Sequence, residues 1–359
     1  MTPSDIVAYR LSHQRLIGAR ITAASEVVRW LGAVQAQDYY GAKWAIGLRS
    51  SATDAAIEQA FKAGAILRTH LLRPTWHFVV AADIRWILNL SAPRVHAANA
   101  SMYRKLGLDA KVFRRSNDAL ARALQGGRRL DRAELVSVLQ RERMDTSDMR
   151  FAYLLMRAEL DAIICSGPRK GRQFTYALLD ERVPETNVLP RDEALAELTL
   201  RYFTSRGPAT LKDFVWWSGL TMADARAGLA MVRNRFTQVQ VDGRDHWYAR
   251  SSPLPKIPSV TVHLLPNYDE YGIAYKDRSA FYDPEEEAGA RRAGIPVFRH
   301  FLLVNGLIRG TWDRTLLKDS VSVVTSPFSL LSHTTASSVR SAVRRYARFL
   351  AMPLADGAE

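Results

Sequence analysis

One local pattern recurs three times and constrains the fold of this chain more than any other feature. In each case, segments with a helical apolar face are followed by a strand, a turn and a second strand, at residues 65–80, 162–178 and 239–248. The last of these contains Asp242-Gly243, a pair that favours a two-residue hairpin turn. Helices followed by a hairpin are the order of a winged helix-turn-helix unit, which binds DNA. The pattern predicts three tandem winged-helix units without a literal sequence repeat.

A proline-rich segment at residues 251–258 marks the end of this pattern. Strand-forming segments then dominate, and Asn305-Gly306 predicts a second tight hairpin turn. A helix over residues 335–350 follows. The sequence therefore predicts an α+β protein with three winged helix-turn-helix units and a β-rich, barrel-like C-terminal domain with a closing helix. The expected domains are residues 1–105, 106–188, 189–252 and 259–352.

The charge balance indicates the class of partner. The 359 residues include 50 Lys and Arg against 36 Asp and Glu, for a net charge of +14. Such an excess favours a polyanion such as DNA, RNA or an acidic membrane surface. Guanidinium groups grip phosphate with two hydrogen bonds, which suits nucleic acid. An arginine-rich chain also arises from codon bias alone, and that alternative stays open.

Several classes of site have no support in the sequence. The single cysteine, Cys165, excludes an intrachain disulfide framework and a cysteine-based zinc cluster, and its apolar surroundings predict a buried thiol. Motifs for zinc, ATP and NAD are absent, so zinc is not expected and binding of ATP or NAD has no support. No apolar run is long enough for a membrane span and no signal-peptide core is present, which predicts a soluble cytoplasmic protein.

A pair of glutamines follows an amphipathic segment near the N-terminus. Apolar residues at helical spacing predict a helix over residues 23–35, and Gly41 is a plausible place for it to have stopped. If the chain becomes extended near Gln35, Gln35 and Gln37 point to the same side, because side chains repeat every two residues in extended backbone. They would form a two-pronged site of neutral amides. The alternative is that both are solvated residues at a helix end.

The residues that follow the glutamines, 39–44, are predicted to form a loop. Thr53 or Asp54 then caps a predicted helix that ends near Ala63.

The first hairpin alternates polar and apolar residues. Arg73, Thr75 and His77 fall on one face at a period of two. A face with guanidinium, hydroxyl and imidazole groups can hold phosphate or donate to a leaving base, or it can be the solvated face of a wing. His70 falls on the opposite face unless Pro74 introduces a bulge.

A second dense stretch, residues 264–279, places acidic and basic residues among tyrosines directly after a strand. It is interpreted either as a salt-bridged loop that joins domains or as the location of a catalytic acid or base at Asp269.

Together these motifs resemble a known family. Residues 34–37 (Val-Gln-Ala-Gln), 72–77 (Leu-Arg-Pro-Thr-Trp-His), 265–271 (Leu-Pro-Asn-Tyr-Asp-Glu-Tyr) and 276–279 (Lys-Asp-Arg-Ser) are similar to motifs of the AlkZ/YcaQ type of winged-helix DNA glycosylase. The resemblance covers nearly the whole chain. The Gln-apolar-Gln form is similar to the AlkZ branch, and the chain departs at Gln37 from the Gln-apolar-Asp form of the YcaQ branch.

The resemblance implies a monofunctional glycosylase that hydrolyses the N-glycosidic bond of alkylated purines in double-stranded DNA, including interstrand crosslinks, without a metal or cofactor. Gln35 and Gln37 would be the catalytic pair. No lysine lies beside them, Lys43 being the nearest in sequence, so a Schiff-base lyase step is not expected. Amides orient water but are weak bases, which predicts cationic N7-alkylpurines as substrates.

The remaining site residues are expected to contact substrate or DNA along an open basic channel: Asp38, Arg73, Thr75 and His77 near the lesion, and Arg169, Lys170 and Arg172 on phosphates. A monomer is expected. Two alternatives to the enzyme are a winged-helix transcriptional regulator without chemistry and a non-catalytic protein that binds lesions and leaves them intact.

Overall fold

The computed structural model describes residues 1–184, 188–250, 253–282 and 300–355. The helices in these ranges are α1 Pro3–His13, α2 Ala24–Leu31, α3 Tyr39–Arg49, α4 Asp54–Ala63, α5 Ile84–Lys105, α6 Ala110–Leu124, α7 Arg132–Arg141, α8 Arg150–Leu160, α9 Leu179–Arg182, α10 Arg191–Arg206, α11 Leu211–Ser218, α12 Met222–Val232, α13 Glu270–Ile273 and α14 His333–Leu350. The strands are β1 Val34–Gln35, β2 Ile66–Leu71, β3 Arg73–Val80, β4 Leu130–Asp131, β5 Ile164–Ser166, β6 Thr175–Leu178, β7 Phe236–Val241, β8 Arg244–Ala249, β9 Val262–Leu265, β10 Phe301–Val304, β11 Leu307–Leu316 and β12 Val321–Pro327.

The first two-thirds of the chain repeat one order of elements. The first unit (residues 24–80) and the second unit (residues 110–178) each run helix, short strand, two helices and hairpin, with the short strand paired to the last strand of the hairpin. The third unit (residues 191–249) has three helices and the hairpin β7–β8. In the third unit, one antiparallel backbone bridge between Ala209 and Trp247 takes the position of the short strands β1 and β4 of the other units.

The predicted helix over residues 23–35 is too long. Helix α2 ends at Leu31 because Gly32 has a φ of +74°, a conformation that only glycine adopts without strain. Gly41 lies inside α3, which occupies a stretch predicted as a loop. The chain between Gly32 and α3 contains the short strand β1, so Gln35 lies in extended backbone and not in a helix. The predicted helix capped by Thr53 and ending at Ala63 is confirmed.

The C-terminal sheet is open, and the prediction of a barrel-like domain is wrong. Its four strands have the order β12-β11-β10-β9 and pair antiparallel, and β9 and β12 are edges that do not meet. The sheet stays open because its two edge strands are not hydrogen-bonded to each other in the described residues. The closing helix is as predicted. Tyr346 of α14 lies edge-on to Trp44 of the first unit and Trp312 of the sheet, with ring centroids 4.9 and 5.2 Å apart.

The hairpin β2–β3 is enclosed by the rest of the chain. The backbone N–H of Arg68 donates to the hydroxyl of Ser166 in the second unit at 2.8 Å. Gly219 of the third unit lies against the hairpin tip, where a Cβ would be 2.5 Å from the carbonyl oxygen of Leu72. The expectation of a projecting wing is therefore corrected for the first unit.

Two further observations concern the described ranges. No helix in them is long and apolar enough to cross a bilayer, and no three His, Cys, Asp or Glu side chains in them are grouped as metal ligands. Cys165 is buried, as predicted, and burial raises the pKa of its thiol to about 12.

Candidate functional site

Gln35 lies on the edge strand β1 of the first unit's sheet. Val34 is paired with Phe78 and Gln35 with His77 in an antiparallel register. The backbone N–H of Ala36 continues the ladder by donating to the carbonyl of Trp76 at 2.7 Å. The backbone of β1 is extended, which is the condition under which Gln35 and Gln37 are predicted to point to the same side.

The two glutamine side chains have different environments. Gln35 is 8% exposed, and its Oε1 accepts from Nη2 of Arg73 at 3.5 Å. Gln37 is exposed, and its Oε1 accepts from the backbone N–H of Trp76 at 3.4 Å. Within the described residues, neither amide NH2 donates to a protein group. One amide is thus held at the protein boundary and the other faces solvent.

The polar face of β3 is more enclosed than the sequence indicated. His77 is fully buried, and its Nδ1 must donate to the carbonyl of Thr75 at 2.9 Å, which leaves Nε2 with a lone pair. Burial, reinforced by the charge of Arg73, lowers the pKa of His77 well below its usual value, so the ring is neutral. The expectation of an exposed imidazole is corrected, because the packed neighbouring units cover this hairpin.

Several polar atoms on this face are left over. His77 lies opposite both Gln35 and Thr69 in the sheet register. Nε2 of His77, Oγ1 of Thr69, Oγ1 of Thr75 and Nε of Arg73 are all buried and lack a hydrogen-bond partner in the part of the chain that the structure describes. Buried polar atoms usually have partners, so this concentration beside Gln35 distinguishes the site from an ordinary core.

Arg73 supplies a positive charge at the glutamine pair. It begins β3 and is half-buried. Burial lowers the pKa of its guanidinium and the carboxylate of Glu270 opposes that effect, but arginine stays protonated in proteins. Arg73 therefore brings a fixed cation and hydrogen-bond donor to the amide oxygen of Gln35.

Asp38 has a structural task. It caps α3 by accepting from the backbone N–H of Gly41 at 3.0 Å. Burial raises the pKa of its carboxyl group, but the Gly41 hydrogen bond and the nearby His300 outweigh burial, so the net pKa lies below its usual value. Nε2 of His300 is 3.9 Å from Oδ2 of Asp38. The carboxylate ends the extended segment and starts the next helix.

Asp269 and Glu270 make buried contacts, one of which reaches the backbone of Gln35. Asp269 is 4% exposed, and its two oxygens accept from the guanidinium of Arg49 at 2.7 and 2.8 Å. This geometry bears out the salt-bridged interpretation and leaves no free oxygen for acid or base chemistry. Its neighbour Glu270, which the sequence did not single out, accepts from the backbone N–H of Gln35 at 3.0 Å. The signal was present as two adjacent carboxylates directly after a buried strand.

The predicted phosphate contacts lie in the turn between β5 and β6, and the structure separates them into two kinds. Arg169 is engaged within the protein, with Nη2 donating to the Tyr40 hydroxyl at 3.1 Å and Nη1 donating to Glu58 at 3.4 Å. Lys170 and Arg172 are exposed. Only these last two offer their cations directly to a polyanion.

Lys43, the lysine nearest the glutamines in sequence, is sequestered. Its side chain is 2% exposed, and Nζ donates to Asp54 at 2.8 Å and to Glu58 at 2.9 Å. A lysine acts as a nucleophile only when it is deprotonated and accessible. Lys43 is not accessible, because its Nζ is buried between the two carboxylates.

Comparisons with known proteins agree with this architecture. A family model described as "DNA glycosylase AlkZ-like" matches residues 28–349. An interstrand DNA cross-link repair glycosylase from Streptomyces sahachiroi is 25% identical over 348 residues, covering 90% of each chain. The solved structure of Streptomyces sahachiroi DNA glycosylase AlkZ superposes with a TM-score of 0.79 at 21% identity and covers 99% of both chains. The described fold is thus that of a solved protein from end to end.

Proposed function

This chain belongs to the AlkZ-like DNA glycosylase family, and from that membership and the geometry of its site we propose that it hydrolyses the N-glycosidic bond of cationic N7-alkylpurines in double-stranded DNA. The name of the Streptomyces relative supports extending this activity to interstrand crosslinks. We further propose that the enzyme acts as a cytoplasmic monomer on the nucleoid.

The proposed reaction places little demand on the protein as a base. A water oxygen bonds to the anomeric carbon of the deoxyribose, and the carbon–nitrogen bond to the purine breaks. The bonding electrons pass to the purine, which leaves as a neutral base because alkylation at N7 had made it a cation. The water proton is released to solvent. Gln35 and Gln37 accept from the water and hold it in line, since amide oxygens are acceptors but weak bases.

The observation that carries the proposal is the placement of Gln35. Its backbone is fixed in a strand, its oxygen accepts from Arg73, and exposed Gln37 follows two residues later. An oriented amide at the edge of a basic protein suits the task of holding one water against a DNA sugar. Arg73 would contact a phosphate of the damaged nucleotide, and the exposed side of the pair leaves room for a bulky lesion.

Residues outside the pair have supporting roles in this proposal. Lys170 and Arg172 contact phosphates, while Asp38, Thr75, His77 and Arg169 shape the protein around the substrate. Sequestration of Lys43 supports a monofunctional enzyme without a lyase step.

The order of elements supports assigning the first, second and third units as winged helices. The domain boundaries that go with this assignment are residues 1–105, 106–188, 189–252 and 259–352.

A base-release assay tests the function. The protein is incubated with duplex DNA that contains 7-methylguanine, and with the same duplex that contains a neutral lesion such as uracil. Release of 7-methylguanine with little or no release of uracil supports the proposal. Sequence-selective binding of undamaged duplex without release would indicate a transcriptional regulator, which family membership does not favour. Tight binding of the damaged duplex that leaves the lesion intact would indicate a sequestering protein.

A further inference from the structure

Within the described residues, the strand that holds Gln35 has a neighbouring strand on one side only. The sheet order β1-β3-β2 makes β1 an edge, and the N–H of Ala36 points toward β3. Backbone groups alternate in direction along an extended chain, so the N–H of Gln35 and the carbonyl of Ala33 point away from β3. An edge strand leaves such groups without partners unless other parts of the protein supply them.

A buried ion pair supplies them here. Arg206 donates from Nη1 to the carbonyl of Leu31 at 2.7 Å and from Nη2 to the carbonyl of Ala33 at 3.2 Å. Glu270 accepts from the N–H of Gln35 at 3.0 Å. Nη2 of Arg206 is 2.5 Å from Oε2 of Glu270, and both side chains are 0% exposed. The two N–H groups of Arg206 and the carboxylate of Glu270 thus bond to the outward-facing backbone groups of this edge, as a neighbouring strand would.

The pair is itself held by the third unit. Nε1 of Trp217 donates to Oε2 of Glu270 at 2.9 Å, and the guanidinium of Arg206 lies 4.3 Å from the centre of the Trp217 ring. Arg206 ends α10, whereas Glu270 begins the short helix α13. The free edge of the first unit is therefore completed by two elements more than 150 residues away in the chain.

We propose that Glu270 and Arg206 are positioning residues for the reaction, because they fix the backbone of residues 31–35 so that the Gln35 amide has one orientation toward the water. The inference rests on the proposed catalytic role of Gln35. Replacing a buried ion pair by apolar side chains of similar size is often neutral for stability, so stability alone does not explain this pair. A misplacement of about 1 Å can lower the rate of a positioned reaction about 100-fold.

The test compares two ion pairs whose arginines both lie on α10, one fully buried and one partly buried. The paired substitution Arg206→Met with Glu270→Met removes both charges and the acceptor for Gln35. The control, Arg201→Met with Asp83→Leu, removes the neighbouring pair between α10 and the residue before α5. Neither side chain hydrogen-bonds to residues 31–35 in the described part of the chain, and methionine keeps an apolar side chain where the aliphatic part of Arg201 lies beside Gly32. The measurements are the single-turnover rate of 7-methylguanine release, the Kd for the damaged duplex and the thermal unfolding midpoint.

We expect the Arg206/Glu270 variant to release base about 100-fold more slowly than wild type, with a Kd within about threefold of it. The control variant should stay within about threefold of wild type in both. Glu270→Gln keeps an oxygen that can accept from the N–H of Gln35, so its rate of base release should fall only about tenfold. This single variant tests the inference if the paired variant does not fold. Equal rates for the two paired variants, or for Glu270→Gln and wild type, would overturn the positioning role.

A Gln35→Ala background separates this inference from the proposed function. If Glu270 acts through Gln35, Glu270→Gln should change the rate of Gln35→Ala by less than about twofold, because coupled residues are not additive. A full tenfold loss in that background would contradict the positioning role while the proposed function stood. A wild-type rate for Gln35→Ala itself would instead contradict the proposed function.

Discussion

The carboxylate of Glu270 accepts a hydrogen bond from the backbone N–H of Gln35 across a sequence separation of 235 residues. This contact joins the C-terminal loop to the edge strand of the first unit, while Arg206 joins the third unit to the carbonyls of Leu31 and Ala33, just before that strand. The short motif that carries both glutamines is thus folded into place by the whole chain. We expect the isolated first unit to lack this geometry.

Substitution of Arg73 tests the electrostatic part of the site. Arg73→Ala should lower the rate of 7-methylguanine release about tenfold, because the amide oxygen of Gln35 loses a charged donor worth roughly 1.4 kcal/mol. Arg94→Ala, an exposed arginine on α5, is the charge-matched control and should have a near wild-type rate. Identical rates for the two variants in single-turnover assays would exclude the proposed role of Arg73.

The β5–β6 turn is expected to contact DNA through two of its three cations. Lys170→Ala and Arg172→Ala should each weaken duplex binding and lower the slope of log K against log salt by about one, as expected for one lost phosphate contact. Arg169→Ala should mainly lower the unfolding midpoint, because Arg169 is bound to Glu58 and Tyr40. Fluorescence anisotropy over a series of salt concentrations measures the slopes. An unchanged slope for both exposed variants would remove this turn from the interface.

The acid stability of the protein should depend on His263. Burial, with smaller contributions from Arg345 and Arg49, lowers the pKa of His263 to about 3, and both ring nitrogens lack partners among the described residues. The unfolded chain therefore takes up a proton below about pH 6.5 that the folded chain does not. The free energy of unfolding should fall by roughly 1.4 kcal/mol per pH unit from this residue between about pH 6.5 and 3.

His263→Leu isolates that contribution. The variant should be at least as stable as wild type at pH 7, since it removes two unpartnered buried polar atoms. Its unfolding free energy should fall less steeply toward low pH. The difference in slope should be about 1.4 kcal/mol per pH unit, which corresponds to one fewer proton taken up on unfolding. Urea unfolding at several pH values gives both slopes, and parallel slopes would contradict the lowered pKa.

Local sequence patterns predicted individual helices and turns well, but they did not predict how these elements end and pack together. The helix capped by Thr53 and the turn at Asn305-Gly306 follow from residues within a few positions of one another, and both are present. The early end of α2 depended on one backbone angle at Gly32, which a hydrophobic period does not reveal. The open C-terminal sheet depended on strand pairing between distant segments.

The same distinction between local patterns and distant contacts applies to the candidate site. The resemblance to AlkZ-type glycosylases directed attention to Gln35 and Gln37, and the family match confirms that relationship. Alternation along β3 placed Arg73, Thr75 and His77 on one face, but it could not show that other units cover that face. Two adjacent carboxylates after a strand marked Glu270 in the sequence, but local pattern could not show its hydrogen bond to a backbone group 235 residues away.

The central claim is that the two amides hold the attacking water, and the single-turnover rate of 7-methylguanine release from duplex DNA tests it most directly. Gln35→Ala and Gln37→Ala should each lower that rate by roughly 100-fold, with unchanged Kd for the duplex, because each removes an oriented group from the transition state. Gln240→Ala, an exposed glutamine on β7, should release base at the wild-type rate. Wild-type rates for both Gln35→Ala and Gln37→Ala would contradict the account.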